Sequence, residues 1–421
     1  LLPAGGAGKV MDFVASGTLP NGKAVVLKSN GQVEVVAETS VSQSVGTSSV
    51  FESAESTNIS ATYDSVNQKV VIAYMDNGNG SYGTAVIGTT SGTSISFGTP
   101  VVFASSSSQY TSIVYDANAQ KVVISYKGTS NYGRSIVGTV SGTSISFGTE
   151  VVFEANNTNW ISSTYDSNAQ KVVISYGAPY ATYGKSVVGT VSGTAISFGT
   201  AVIFESADTR WTSTTYDSAN QKVVIAYSDY GNSGNLTAIV GTVSGTAISF
   251  GSAVTTSGRA PENLFCKYDS SNQKVVIAFG NTLNSQYGTA IVSTVSGTAI
   301  SFGSAVVFES AVTTSIAVSY DSNVNKVVIS YLDNGSGKGT VISGTTSGTS
   351  ISFGTAAVFQ NSGMNNTAST YDSTTKKVVI AYKVSSNDYG TSVVFQAAGT
   401  PTNLTSTNFV GITSKAISNT A

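Results

Sequence analysis

The sequence predicts an all-β protein: a seven-bladed β-propeller of four-stranded antiparallel blades, its ring closed by an N-terminal strand in the last blade. Three observations predict it. A Tyr-Asp pair recurs at Tyr63, Tyr115, Tyr165, Tyr216, Tyr268, Tyr320 and Tyr371, each 50 to 52 residues after the one before. Every recurrence heads the same series of strand-like segments, and no segment carries a helical period with caps. The seventh unit lacks its "SGTSISFGT" half, and the N-terminus holds strand-like material to replace it.

Each element has a local reason. The first strand is the polar and β-branched run before Tyr-Asp, such as "SSTY". The turn "DSNAQ" follows, where Asp can bond its own backbone two residues on. The second strand, "KVVISY" or "KVVIAY", is a continuous apolar run suited to burial on both faces. The third, "SVVGTV", alternates and turns through "SG" into the fourth, "AISFGT". A crossing segment of the type "AVIFES" is expected to lead to the next unit. The closing strand is expected at Gln32 to Ala37, with Lys23 to Lys28 as a further partner. Pairing first and last segments in one blade removes an exposed edge. Residues 1–21 then read as an N-terminal linker, 22–397 as the propeller, and 398–421 as a C-terminal linker or the start of a further domain. The start without Met and the unclosed end suggest a piece of a longer polypeptide.

Composition narrows the function. The 421 residues carry only 10% charged side chains and a net charge of −2, so no basic field holds nucleic acid or an anionic membrane. No apolar run is long enough for a membrane-spanning helix, and no membrane insertion is expected. There is no histidine, which removes the usual near-neutral acid–base group and any Ser–His–Asp or Cys–His constellation. The single Cys266 allows no intrachain disulfide, and in "NLFCKYD", on a predicted inner strand, it reads as a small buried hydrophobe.

Carboxylates remain as catalytic candidates: Asp76, Asp229, Asp333, Glu52, Glu154, Glu205 and Glu309. The four glutamates repeat at one equivalent place, "VF-Glu" or "IF-Glu", which reads as architecture. The loops "MDNGNGS" and "LDNGSGK" offer oxygens but lack the calcium-loop spacing, so they read as turns. The glycines of "GTVSG" have no following Lys-Ser/Thr and no helix, so they form no phosphate loop. No catalytic residue, no metal site and no cofactor is expected.

Comparing the seven units with one another separates constant from variable segments. The turns "DSNAQK" and "SGTSISFG" scarcely change and are expected on one face. The loops between strands two and three, and the approach to strand one, vary and are expected on the other. Five residues before each Tyr stand Asn58, Tyr110, Trp160, Trp211, Asn263, Ser315 and Asn366. Three successive units place an aromatic there, including both tryptophans of the chain. Arg210 sits beside Trp211, and Tyr180, Asp229 and Tyr230 lie in the facing loops. The expected ligand-binding set is therefore Tyr110, Trp160, Tyr180, Arg210, Trp211, Asp229 and Tyr230. Aromatic rings stack on sugars or apolar groups, and the polar residues fix orientation. The plain alternative is that the aromatics only cover the end of the core between blades.

The repeat "YDSNAQKVVISY…YG.S.VGTVSGT.ISFGT" resembles one found in marine bacteriophage virion proteins of the tail-fibre and adhesin type, cyanophage-like in character. The closing stretch "NLTSTNFVGITSKAISNTA" is similar to linkers in the same proteins. The resemblance implies a non-enzymatic, extracellular virion component that displays a binding disc to a host-surface glycan or protein. Other virion or filament subunits are then also partners, with homo-oligomerisation left open. The alternative is a purely structural module whose variable face meets neighbouring subunits; a secreted bacterial lectin or a glycan-cleaving enzyme stands behind both.

Overall fold

The computed structural model describes residues 13–19, 24–36, 40–178, 183–400 and 409–412. Among them there is no α-helix, and no helix is long and apolar enough to cross a membrane. The chain forms two compact units, Leu1–Ser42 with Ala398–Ala421, and Gln43–Ala397.

In the second unit each Tyr-Asp repeat builds an antiparallel sheet in chain order. In repeat two, Gln109–Asp116, Lys121–Lys127, Tyr132–Ser141 and Ser144–Phe147 pair as neighbours in that sequence. The other repeats with a complete hairpin follow the same order. All seven turn aspartates use Oδ1 to accept a backbone N–H two residues on: Asp64, Asp116, Asp166, Asp217, Asp269, Asp321 and Asp372. This is the local bond their position predicts. The "KVVISY" strand is buried on both faces; Val122, Val123, Ile124 and Tyr126 are fully inaccessible. Cys266 is buried, as its strand predicts.

The structure corrects the outer edge of the sheet. The "crossing" segment is strand: Val151–Asn157 pairs with Tyr132–Ser141 on the same edge as Ser144–Phe147. In repeat five the outer strand runs unbroken into the next inner strand as Ala299–Asp321. Elsewhere the same path is divided, as into Ser144–Phe147, Val151–Asn157 and then the next inner strand Asn159–Asp166.

The strand that completes repeat seven also differs from the expected one. Ser44–Val45 and the start of Ser49–Asp64 pair with Tyr389–Gln396. The reason lies in the pattern: "SVGTSSVFES" reproduces the outer-strand pattern of the other repeats, Phe51-Glu52 included. The segment expected there, 32–37, contributes Val33–Val35 to a local hairpin with Ala24–Leu27. Ala24–Leu27 pairs on its other edge with Phe409–Ile412, so part of the expected C-terminal linker at 398–421 is strand. Its core is Leu19, Val25 and Val33. The boundary expected at residue 22 falls at Gln43.

The main core lies between successive sheets. Val71, Ala73, Ala85 and Ile87 of repeat one pack with Ile113, Val122 and Ile124 of repeat two. Phe51, Ile59 and Ile72 pack in the same way with Val379, Ala381 and Val394 of repeat seven. The inner strands are also stitched together. Ser60, Ser112, Ser162 and Ser213 each accept, through Oγ, a backbone N–H of the next repeat's inner strand at 2.9–3.1 Å. Free-edge donors of a buried strand need such partners.

The repeated glutamates hold tyrosines. The last aromatic of each second strand is fully buried. The hydroxyls of Tyr74, Tyr176, Tyr227 and Tyr331 donate to Glu52, Glu154, Glu205 and Glu309 at 2.9–3.1 Å. Tyr126 uses Glu150 instead. Repeat five carries Phe279, which has no hydroxyl, and Ser257 in place of the glutamate. It is a natural double substitution. Glu205→Ala is therefore expected to cost about 1–3 kcal/mol by leaving a buried hydroxyl unpaired. Adding Tyr227→Phe is expected to restore most of that loss in urea unfolding. A double variant no better than Glu205→Ala would refute the pairing as the cause.

Candidate recognition surface

The variable positions before the inner strands share one backbone feature. Asn58, Tyr110, Trp160, Trp211, Asn263, Ser315 and Asn366 all have φ between 48° and 53°. The register against the second strand slips beside them, as between Asn159 and Ser162 or Arg210 and Ser213. Each is a β-bulge that redirects one side chain. Asn tolerates the left-handed region; Tyr and Trp do not favour it, and holding them there costs roughly 1–2 kcal/mol each.

These residues touch from one repeat to the next. Asn366 Oδ1 accepts from Asn58 N at 3.0 Å, Asn58 Oδ1 from Tyr110 N at 2.8 Å, and Asn263 Oδ1 from Ser315 N at 3.3 Å. Over repeats two to four, ring contacts take the place of these bonds. Tyr110 and Trp160 have centroids 6.0 Å apart at 57°, and Trp160 and Trp211 lie 6.4 Å apart at 50°. All three rings are half-buried and line the rim of a cavity of about 640 Å³ to which the inner strand of every repeat contributes.

Arg210 joins this cluster. Its guanidinium lies 3.8 Å from the Tyr230 ring centroid and 5.9 Å from that of Trp160. Nε and Nη2 both donate to Asp208 Oδ2, at 3.0 and 2.7 Å, and this bond raises the Arg210 pKa. Asp208 is a residue that sequence reasoning missed. Its place two residues before Arg210, an acid close in sequence to one of the chain's few arginines, was the available signal. Lys127, also missed, places Nζ 5.7 Å from the Tyr110 centroid and donates to Asn159 Oδ1 at 2.9 Å. Burial lowers its pKa, and burial pushes the Tyr110 phenol up.

The expected set divides on inspection. Tyr110, Trp160, Trp211, Arg210 and Tyr230 form one connected cluster, with Tyr230 40% exposed. Tyr180 lies outside the described residues. Asp229 is only 7% exposed and serves its own loop: Oδ1 accepts from Asn232 N at 3.1 Å and caps the short turn Tyr230–Asn232. Burial, then the Glu205 charge, raise its pKa. Asp76 and Asn281 cap the equivalent turns, so Asp229 is a loop-former. Asp333 likewise accepts from Gly335 N and Ser336 N.

Sheets of this order, packed face to face around a common cavity, belong to the β-propeller class. The solved β-propeller domain of Myceliophteria thermophila Cps50 (Swd1) is similar, with a TM-score of 0.50 and 8% identity over 82% of this chain and 99% of that one. At that identity the likeness is one of fold alone. No protein-family model and no curated protein matches the sequence.

Proposed function

We propose that Gln43–Ala397 is a seven-bladed propeller, closed by its own N-terminal strand, and that it recognises a host-surface glycan or protein as a non-enzymatic module of a virion tail fibre or adhesin. Closure is supported by the pairing of Ser44–Val45 with Gln396 and Phe395, and by the core that repeats one and seven share. The sequence resemblance to phage fibre repeats supports the virion setting and an extracellular location. The glutamates that would suggest glycan hydrolysis are engaged with buried tyrosines, which favours binding over catalysis.

One observation carries the recognition reading. Tyr110, Trp160 and Trp211 are held in a backbone conformation their residue types disfavour, where three other repeats use Asn. Strained positions of this kind concentrate at functional sites. With Arg210 they make a platform of aromatic faces beside a cation, suited to a sugar ring carrying polar or acidic substituents.

The test is binding to host cells and to a glycan array by a Trp160→Asn/Trp211→Asn double variant. Asn is native at the equivalent sites, so the fold is retained. Loss of two such anchors is expected to weaken binding by about tenfold or more. Unchanged binding would exclude this face.

A further inference from the structure

The inner strand of repeat five, Pro261–Asp269, departs from its equivalents at two alternate positions. Phe265 stands where the other repeats have Ser60, Ser112, Ser162, Ser213, Ala317 and Ala368. Lys267 stands where four other repeats have Thr62, Thr164, Thr215 and Thr370 and the remaining two have Val114 and Ser319. Alternate residues share one side of a strand, and both Phe265 and Lys267 line the central cavity. Phe265 is 39% exposed there, whereas the equivalent position of every other repeat carries Ser or Ala.

We propose that Lys267 marks a site for a small oxyanion inside this cavity, a carboxylate or a phosphate. Lys267 is the only charged side chain among the described residues that line it. It makes no ion pair among the described residues. The nearest carboxylate in sequence, Asp269, is already committed. It accepts from Ser271 N, Asn272 N, Asn272 Nδ2 and the Thr346 hydroxyl. Solvent reaches Lys267 within the cavity, yet protein surrounds it, and that burial lowers its pKa. The rest of the described lining is uncharged, so no carboxylate in it competes with an incoming anion for the ammonium.

The surroundings supply donors. Threonines at the equivalent positions put hydroxyls at the same level of the cavity as Lys267. Thr215 Oγ1 accepts from Tyr268 N at 3.2 Å and retains its own proton to donate. An ammonium and hydroxyls lining one cavity are donors of the kind an oxyanion accepts from. A cavity of about 640 Å³ accommodates one. The inference rests on Lys267 and Phe265 and not on the three aromatic rings that line the same cavity, so its test does not depend on host binding.

The experiment is isothermal titration calorimetry of the whole chain with inorganic phosphate and, separately, with sodium acetate, at constant low ionic strength. Saturable binding of at least one is expected, and the anion preferred identifies the ligand class. Lys267→Thr, which installs the residue native at four equivalent positions, is expected to weaken that binding by about tenfold or more. Its melting curve, measured alongside, is expected to match that of the parent. Failure of the parent to bind either anion, or equal binding by Lys267→Thr, would overturn the site.

Discussion

Gly148→Ala is expected to destabilise the protein by roughly 3 kcal/mol, read as a fall in urea midpoint at unchanged slope. A Cβ on Gly148 would come within 1.9 Å of the carbonyl oxygen of Thr194 in the following repeat. That oxygen belongs to the backbone of the "SGTA" hairpin and cannot rotate aside, so two sheets must move apart. Gly98 meets Thr143 in the same way, and Gly46 meets Thr93. The chain supplies its own control in Gly354. Repeat seven has no such hairpin to present, and the nearest atom to a Cβ at Gly354 is the Ser343 oxygen at 3.6 Å. Gly354→Ala is expected to be neutral or to stabilise by up to about 1 kcal/mol through the unfolded chain. Equal losses in the two variants would show that this glycine is not where neighbouring repeats touch.

The same glycine shows what was legible in the sequence. "SFG" recurs and so announces a requirement, but the requirement is a backbone in another repeat, which one strand's pattern cannot name. Strand existence was readable because apolar runs and turn residues are local causes. Partner choice was less so. Val33–Val35 is a strand, as its alternation predicts, yet it pairs within a hairpin, while the better match to the outer-strand pattern lay at Ser44–Glu52. Spacing alone aligned Tyr110, Trp160 and Trp211. Their left-handed backbone was invisible, since Asn at the sister positions hints at it only once the bulge is known. Asp229 reads as a binding residue from its charge and its loop. Asp76 and Asn281 at the equivalent places already argued for a shared capping role.

Asp321→Asn is expected to stabilise the protein at pH 7 by on the order of 2 kcal/mol and to flatten its stability between about pH 4 and 6. Burial pushes the Asp321 carboxyl up from its ordinary 3.8 to about 6, against the N–H bonds from Asn323 and Val324. The second of those bonds is long, at 3.4 Å. Asp372 occupies the equivalent turn and moves the other way. Burial opposes it too, but the hydroxyls of Thr90 and Thr375 and two backbone N–H groups hold its pKa below the usual value. Val324 stands where Thr375 stands, so Asp321 lacks that donor. A carboxyl whose folded pKa exceeds its unfolded value binds its proton more tightly in the native state. Its penalty is absent below about pH 4, grows as pH rises through about 6, and is constant above. Asn keeps the acceptor for both backbone N–H groups and never ionises, so the penalty disappears while the turn remains. Urea unfolding of both proteins at pH 4, 5, 6 and 7 measures the difference. Curves that stay parallel across that range would show that Asp321 titrates alike in the folded and unfolded chains.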